Sequence, residues 1–287
     1  MEETSSPRPG DPRVPPREGG KRVPRTAPHA RATIAAFIVA QIADAPGRGA
    51  VLGLSGGIDS AVLARLARDA LGAERVLALL LPDRGYPAHL LAETAAYADS
   101  LGIPHRTISV EGLAAAAREL LPEVRDPVAV GNLTARFRMA VLYAVAREKG
   151  YLVLGTGNKS ELLLGYYTKY GDGAADLLPL GDLYKTEIRI LAEELGIPEP
   201  IRARAPTAGF WEGQTDEEEL GVSYAVADSV LLGLEELRPV AEIARAVGLP
   251  VERVRELEDR VLRHRHKRRL PPIPKLRART VGLDWRD

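Results

Sequence analysis

Short apolar segments of strand length alternate along the first half of the chain with longer segments of helical periodicity. Ala50–Leu54 is an apolar run, and after it apolar residues recur at helical spacing from Val62 to Leu71. This pair of patterns predicts a strand, a tight turn and the N-terminus of a helix. Val76–Leu81 and His105–Val110 are the next two predicted strands, separated by a further helical pattern. The order strand–helix–strand–helix–strand is typical of a parallel sheet with crossover helices.

The second half of the chain predicts one or two more strands and then mostly helices. Tyr151–Leu154 is a fourth strand and Leu177–Leu180 a short fifth one, and Asn132 is expected to cap a long helix that ends at Lys149. The segment 199–214 is rich in Pro and Gly and predicts a loop, and Thr215 with Glu218 predicts a capping box. The remaining helices are expected at about 29–45, 88–101, 112–121, 185–195, 223–234, 238–248 and 251–266.

The predicted fold class is α/β, a Rossmann-like open parallel sheet with helices on both faces, in a single domain with additional C-terminal helices. Residues 1–28 are rich in Pro, Gly and charged residues and are expected to form a disordered tail. Residues 29–275 form the predicted α/β domain, and residues 276–287 are a second tail.

Composition excludes several classes of function. The chain of 287 residues has 39 basic and 39 acidic residues, so no overall charge favours nucleic acid or a membrane as partner. It has no cysteine, which excludes disulfides, cysteine-ligated zinc, iron–sulfur clusters and a cysteine nucleophile. No apolar run is long enough to span a bilayer, and residues 1–28 lack the apolar core of a signal peptide. The expected compartment is the cytoplasm.

The turn after the first strand of the sheet has the composition of a phosphate-binding loop. Its residues are Gly53, Leu54, Ser55, Gly56, Gly57, Ile58, Asp59 and Ser60. The two central glycines allow a sharp turn and close approach of a ligand, and the N–H groups of the following helix favour an anion. Asp59 fits such a site if a cation, most naturally Mg²⁺, lies between its carboxylate and a phosphate. The alternative is an ordinary strand-to-helix turn, because Ser and Asp are good N-cap residues.

A second loop is expected at the same edge of the sheet. It follows the predicted strand Tyr151–Leu154, and Glu161 lies early in the helical segment after it. A carboxylate there also complements the helix dipole, so Glu161 alone is ambiguous. Together with Asp59, it forms a pair of carboxylates from neighbouring loops that is able to hold one Mg²⁺.

The loop 53–60 resembles the pyrophosphate loop of the ATP pyrophosphatases, which split ATP between its α and β phosphates. A more specific resemblance, to NAD synthetase, covers the chain from about residue 30 to 275. It is carried by Gly157–Glu161, Tyr167–Gly173, Pro179–Thr186, Pro206–Gly209, Gly213–Glu217 and His266–Arg268. The resemblance implies that ammonia is joined to the nicotinic-acid carboxylate of deamido-NAD, with ATP forming an acyl adenylate and releasing pyrophosphate and then AMP. It also implies a homodimer.

The resemblance implies a role for individual residues. Residues 53–60 would hold the ATP phosphates, and Asp59 and Glu161 would bind Mg²⁺. Contacts to ATP would come from Thr156, Lys185 and Thr207, and contacts to deamido-NAD from Arg136, Lys169, Asp176, His266 and Lys267. Asp59, Glu161 and Lys185 are the expected catalytic residues. Without the resemblance, Arg136 could be a solvated helix residue and His266 a surface residue of a basic tail.

Relatives that take nitrogen from glutamine carry an extra domain with a cysteine nucleophile, which this chain lacks. Free ammonia is therefore the expected nitrogen source, unless a separate subunit delivers it. Two alternatives remain open. One is another ATP pyrophosphatase, either GMP-forming or tRNA-modifying. The other is a nucleotide-binding protein without catalysis, which has little need for two metal-binding carboxylates.

Overall fold

The structure is a computed structural model that describes residues 17–18, 21–22, 24, 29–45, 47–211 and 213–281. Most of the predicted N-terminal tail and the last six positions of the predicted C-terminal tail lie outside these residues. Within the N-terminal segment, β1 (Arg17–Glu18) and β2 (Lys21–Arg22) pair in antiparallel orientation.

A four-stranded parallel sheet forms the centre of the molecule. Its strands are β3 (Gly49–Gly53), β4 (Val76–Leu80), β5 (His105–Thr107) and β6 (Tyr151–Leu154), in the order β5-β4-β3-β6. β3 pairs with β4 on one side and with β6 on the other, so the loops that follow β3 and β6 are neighbours at one edge of the sheet. β3 and β4 are almost fully buried, which explains why their sequences are apolar without alternation.

Helices cover both faces of this sheet. Their bounds are α1 Ala30–Asp44, α2 Ile58–Leu71, α3 Ala88–Ser100, α4 Glu111–Leu120, α5 Pro127–Lys149, α6 Lys159–Leu164, α7 Lys185–Glu194, α8 Glu199–Arg202, α9 Asp216–Leu220, α10 Tyr224–Glu235, α11 Val240–Val247 and α12 Val251–Arg263. Short 3₁₀ turns lie at Ala73–Arg75 and His264–Lys267. None of these helices is both long and apolar enough to cross a membrane.

Alternation along β3 divides the core into two layers. Ala50 and Leu52 face a cluster with α1, α2, α3 and α7, whereas Val51 faces a cluster with α5. A third cluster joins α10, α11 and α12 to α6 through side chains such as Leu164 and Tyr224. The predicted α/β class is confirmed, and the C-terminal helices pack against the element that carries Glu161.

The long helix α5 begins five residues before the predicted cap. Asp126 is its N-cap and accepts hydrogen bonds from the N–H groups of Val128 at 3.4 Å and Ala129 at 3.0 Å, with Pro127 in the first turn. This Asp-Pro pair is the stronger start signal, because proline suits the first helical position. The prediction of Asn132 as the cap is therefore wrong. Asn132 lies inside α5, where its side-chain oxygen accepts a hydrogen bond from Thr168 Oγ1 at 2.6 Å.

Two other local predictions differ from the structure. The predicted fifth strand is reduced to a single parallel bridge between Leu154 and Leu177, because the chain turns at Leu178–Gly181 immediately afterwards. The predicted loop 199–214 begins with the one-turn helix α8. One of the two hydrogen bonds of the capping box predicted for α9 is present: Thr215 Oγ1 accepts from the Glu218 N–H at 3.3 Å.

Candidate active site

The loop after β3 leads directly into α2 and leaves the start of that helix open. Gly57 is the N-cap of α2, and no side chain caps the helix. Gly56 has φ +75°, which explains the need for glycine there. The hydroxyl of Ser60 accepts from the Ser55 N–H at 3.2 Å and donates to the Gly57 carbonyl oxygen at 2.9 Å. The loop is thus held by its own serines, while first-turn N–H groups of α2 remain available to an anion.

Asp59, Glu161 and Lys185 meet beside this loop. Lys185 Nζ lies 2.5 Å from Asp59 Oδ2 and 3.1 Å from Glu161 Oε1, and the lysine side chain is only 3% exposed. Asp59 comes from the first turn of α2, Glu161 from α6 and Lys185 from the first residue of α7. The structure therefore brings together all three predicted catalytic residues, which are more than 20 positions apart in the sequence.

The charges of this group depend on one another. Burial alone would lower the pKa of Lys185, but the two adjacent carboxylates outweigh it, and the pKa lies above its ordinary value. Burial raises the pKa of Glu161 to about 7, although Lys185 opposes this shift. The face of the Tyr224 ring, 5.3 Å from Lys185 Nζ, adds a favourable environment for the ammonium group.

Asn158 orients both carboxylates and was not predicted as a site residue. Its side-chain Nδ2 donates to Asp59 Oδ1 at 3.0 Å, and its Oδ1 accepts from the Glu161 N–H at 2.9 Å. In return, Glu161 Oε2 accepts from the Asn158 N–H at 3.3 Å, which completes a capping box at the start of α6. Asn followed three positions later by Glu was the sequence signal for this arrangement.

A fully buried carboxylate supports the same residues from behind. Asp228 on α10 accepts from Ser160 Oγ at 2.5 Å and from the Thr186 N–H at 2.9 Å, and Ser160 Oγ accepts from the Lys185 N–H at 2.9 Å. Burial raises the pKa of Asp228, and these donors oppose the shift. Asp228 therefore joins the starts of α6 and α7. No local sequence signal identified it, because its partners are more than 40 residues away.

The predicted contacts to deamido-NAD form a second group, at the other end of α6. Arg136 Nη2 donates to the Lys169 carbonyl oxygen at 3.2 Å, and Lys169 Nζ donates to the His266 carbonyl oxygen at 2.9 Å. Lys267 Nζ donates to the carbonyl oxygens of Gly165 at 2.6 Å and Tyr167 at 2.8 Å. Hydrogen bonds thus link Arg136, Lys169 and His266, and Lys267 is the next residue in the chain. The side chains of Arg136, Lys169 and Lys267 all donate to neutral carbonyl oxygens.

Part of the basic C-terminal segment caps α6. Arg268 donates to the carbonyl oxygens of Leu162 and Leu163 at 2.9 Å, and Arg260 donates to that of Leu164 at 3.0 Å. Cations are favourable at a helix C-terminus, where carbonyl groups lack partners within the helix. These two arginines therefore have a structural explanation.

The other predicted residues lie in different surroundings. Asp176 accepts from the Val153 N–H of β6 at 2.7 Å and from the Tyr143 hydroxyl at 3.3 Å, so it also supports the edge of the sheet. Thr156 is half-buried in the turn after β6. Thr207 is exposed and accepts from the Gly209 N–H at 3.0 Å.

The donor set at the first site is compatible with Mg²⁺, provided that other ligands come from outside the chain. Among the described residues, no group of three or more His, Cys, Asp or Glu side chains is placed to hold a metal ion. Each carboxylate oxygen of Asp59 and Glu161 receives one of the hydrogen bonds given above, which leaves it free electron pairs. Mg²⁺ commonly takes one or two carboxylates and completes its shell with phosphate oxygens and water.

Comparison with known proteins agrees with this geometry. The family model described as NAD synthase matches residues 31–271. The chain belongs to the NAD synthase family. An NH₃-dependent NAD⁺ synthetase from Methanosarcina acetivorans is 48% identical over 231 residues, which cover 79% of this chain and 90% of the relative.

Solved structures of the NAD synthase family have the same fold. An NH₃-dependent NAD synthetase from Campylobacter jejuni, in complex with nitrate, is 33% identical with a TM-score of 0.73, covering 86% of this chain and 97% of the other. An NMN synthetase from Francisella tularensis is 35% identical with a TM-score of 0.75, covering 86% and 98%. The parallel sheet and its flanking helices are therefore those of the family.

Proposed function

We propose that this chain amidates deamido-NAD to NAD with ammonia and ATP, through an acyl adenylate. It is a ligase that forms a carbon–nitrogen bond, and ATP is its co-substrate. The observation that carries this function is the buried group Asp59–Lys185–Glu161 beside the open N-terminus of α2. Membership of the NAD synthase family supports the choice of substrates.

In the first step, a nicotinate carboxylate oxygen attacks the α-phosphorus of ATP, and the bond from that phosphorus to the bridging oxygen breaks. Pyrophosphate leaves, and the product is a mixed anhydride of nicotinate and AMP. Negative charge grows on phosphate oxygens during this step. We assign its stabilisation to the first-turn N–H groups of α2, the hydroxyls of Ser55 and Ser60, and the ammonium group of Lys185.

In the second step, the nitrogen of ammonia attacks the acyl carbon of the anhydride. The acyl carbon–oxygen bond then breaks, AMP leaves with the electron pair, and the attacking nitrogen loses a proton to give the amide. A carboxylate itself is a poor electrophile, which is why the adenylate is needed. In the absence of cysteine, the chain contains no glutaminase nucleophile, so we propose free ammonia as its nitrogen source.

Asp59 and Glu161 would hold Mg²⁺, with Asn158 orienting both carboxylates. When bound, the ion would supply Lewis-acid stabilisation of charge on the phosphate oxygens. Lys185 would then move part of its interaction from the carboxylates to the phosphates. Thr156 and Thr207 would contact the nucleotide from the loops after β6 and α8.

For deamido-NAD, we propose the group at the C-terminal end of α6, with Arg136, Lys169, His266 and Lys267 as contacts and Asp176 as a hydrogen-bond acceptor. The cations in this group bind only carbonyl oxygens in the contacts given above, so their charge is available to the anionic dinucleotide. A homodimer in the cytoplasm is also proposed, from the family resemblance. Sedimentation of the purified protein at micromolar concentration would test the dimer.

The decisive experiment is an assay with purified protein, deamido-NAD, ATP and Mg²⁺, comparing ammonium chloride with glutamine as nitrogen donor. NAD and AMP formed with ammonium and little with glutamine would support the whole proposal. Nicotinate mononucleotide is to be tested in the same assay as a second candidate substrate, because one structural neighbour is an NMN synthetase. If AMP and pyrophosphate form without an amidated product, the enzyme activates a substrate other than these two. If folded protein forms no AMP, a nucleotide-binding protein without catalysis is favoured.

A further inference from the structure

Two consecutive carbonyl groups of the phosphate loop are held by side chains from distant parts of the chain. The hydroxyl of Tyr86, in the loop before α3, donates to the Ser55 carbonyl oxygen at 2.8 Å. The guanidinium group of Arg204, just after α8, donates from Nη1 to the Gly56 carbonyl oxygen. These bonds cross 31 and 148 residues of sequence, and neither belongs to the regular secondary structure.

The space for these donors exists because residue 56 is glycine. A Cβ atom built at Gly56 would lie 2.5 Å from Thr94 Oγ1, 2.9 Å from Arg204 Nη1 and 3.0 Å from the Tyr86 hydroxyl. Any side chain at this position would therefore displace the polar groups that hold the loop. The positive φ at Gly56 is a second, independent reason for glycine.

Arg204 is itself held in place. Its Nη2 lies 2.7 Å from Glu93 Oε2 on α3, and its side chain is 21% exposed. The guanidinium group thus bridges the phosphate loop and α3, with part of its charge balanced by the glutamate. Its planar shape suits such a bridge, because its donors have a fixed relative direction.

The two bonds determine where the N–H groups of the loop point. A trans peptide is planar, and its C=O and N–H bonds point in opposite directions; the described chain contains no cis peptide. Holding the carbonyl of Ser55 towards Tyr86 therefore directs the N–H of Gly56 the opposite way, and holding the carbonyl of Gly56 does the same for the N–H of Gly57. The Gly57 N–H has only a long contact, 3.4 Å, to Ser55 Oγ.

We propose that Arg204 and Tyr86 are positioning residues that keep two successive peptides of the phosphate loop turned with their N–H groups towards the ATP phosphates. This inference rests on the proposed function, in which residues 53–60 bind those phosphates. Arg204 acts through the backbone of Gly56 and is not a phosphate ligand. Because it lies three residues before Thr207, it also links the loop to the segment that is proposed to contact the nucleotide.

The test compares Arg204→Gln and Tyr86→Phe with the control Arg202→Gln, by calorimetric titration of Mg²⁺-ATP and by steady-state kinetics. Arg202 is a suitable control because it likewise pairs with glutamates and donates to a carbonyl oxygen, of Ile197, but does not contact the loop. We expect the Kd and KM of ATP to rise about tenfold or more for Arg204→Gln, since a hydrogen bond from a charged donor is lost. Tyr86→Phe is expected to give a smaller rise, and the KM of deamido-NAD to stay within twofold in both.

Two further variants make the test specific. Arg204→Lys keeps the charge but loses the rigid bridge, and its ATP affinity is expected to fall between those of the wild type and Arg204→Gln. In the double variant Tyr86→Phe with Arg204→Gln, the two losses are expected not to multiply, because both act on one short loop.

Separate outcomes would overturn the inference and the proposed function. If Arg204→Gln lowers only the melting temperature, or raises the KM values of both substrates alike, Arg204 has a general structural role and the inference is wrong. The same holds if Arg202→Gln weakens ATP binding equally. If the wild-type protein fails to bind ATP, the proposed function itself fails, and the inference fails with it.

Discussion

The lysine side chains near the two ends of helix α6 have different kinds of partner. At its N-terminal end, Lys185 forms ion pairs with Asp59 and Glu161 in a buried site. At its C-terminal end, Lys169 and Lys267 donate to main-chain carbonyl oxygens, and among the described residues neither forms an ion pair with a carboxylate. One short helix therefore separates a site of paired charges from a site of unpaired cations.

This difference agrees with the ligand proposed for each site. With all three groups ionised, two carboxylates and one ammonium leave one net negative charge at the first site, which favours an added divalent cation. The second site has more cations than carboxylates: Lys169 and Lys267 donate to carbonyl oxygens and lie over tyrosine rings, and Asp172 is the carboxylate whose charge acts on Lys267. Such an excess of positive charge favours an anionic substrate. The proposed reaction, in which Mg²⁺-ATP adenylates an anionic dinucleotide, would use both environments next to each other.

The largest effect is expected from Lys185→Met, which removes the cation from the paired site. We expect a fall in kcat of at least about a hundredfold, because a preorganised charge on the phosphates is lost. The two carboxylates would then repel each other without a buried partner, at a cost of about 3–5 kcal/mol of stability. Pyrophosphate release and thermal unfolding measure the two effects. Asp59→Ala is expected to cause a similar loss of rate.

Added Mg²⁺ sharpens this prediction. In Lys185→Met, Mg²⁺ is expected to bind the two free carboxylates and to restore part of the lost melting temperature. In Asp59→Ala, where one of these carboxylates is missing, Mg²⁺ is expected to restore none of it. A Lys185→Met protein with unchanged turnover would contradict the assignment of Lys185 as a catalytic residue.

The unpaired site is tested by Lys169→Met. Loss of this cation is expected to raise the KM of deamido-NAD by about tenfold and leave the KM of ATP nearly unchanged, because a charge-assisted contact is worth about 1.5–3 kcal/mol. Steady-state kinetics with each substrate varied in turn measures the difference. Equal increases for both substrates would show that the two ends of α6 are not functionally separate.

A third prediction concerns pH. Burial raises the pKa of Glu161 to about 7. In the proposed site, the ionised form of Glu161 would be the one that binds Mg²⁺. Activity is therefore expected to fall as the pH drops through about 7, and higher Mg²⁺ concentrations to move this fall to lower pH by competing with the proton. Rate profiles at two Mg²⁺ concentrations measure the shift. An acid limb that does not depend on Mg²⁺ would argue against Glu161 as a ligand.

The contribution of Glu161 to protein stability depends on pH in the opposite direction to the expected activity. Its pKa in the folded protein is above that of an unfolded chain, about 4.3, so the folded state binds the proton more tightly. This contribution is fully present below the unfolded value and is lost as the pH rises through about 7. As the pH falls through about 7, the expected activity therefore decreases while the stability contribution of Glu161 increases. A loss of activity caused by protonation of Glu161 is thus distinguishable from a loss caused by acid unfolding.

The sequence predicted the sheet and the central carboxylates of the paired site, but not the residues that support them. The sheet and the meeting of Asp59 with Glu161 follow from apolar runs and from the rule that parallel strands end at one edge. The support given by Asp228 and Arg204 does not follow, because both side chains act on residues that are distant in the sequence. Asn132 shows the limit of local reasoning, since a good capping residue was outranked by the Asp-Pro pair before it.

The smallest effect is expected from substitution of Asp182, an exposed residue that pairs with the first residue of α6. Asp182 lies in the segment Pro179–Thr186, which resembles NAD synthetase, yet its side chain is 97% exposed, and it pairs with Lys159 at 3.1 Å. An exposed pair of this kind contributes about 0–1 kcal/mol, because solvent screens it and two flexible side chains must be ordered. Lys159 also keeps its second partner, Glu235, at 2.9 Å. Asp182→Asn is therefore expected to change kcat, both KM values and the melting temperature very little. A large loss of rate would show that the segment acts through this carboxylate, and the paired site would then extend to the surface of the protein.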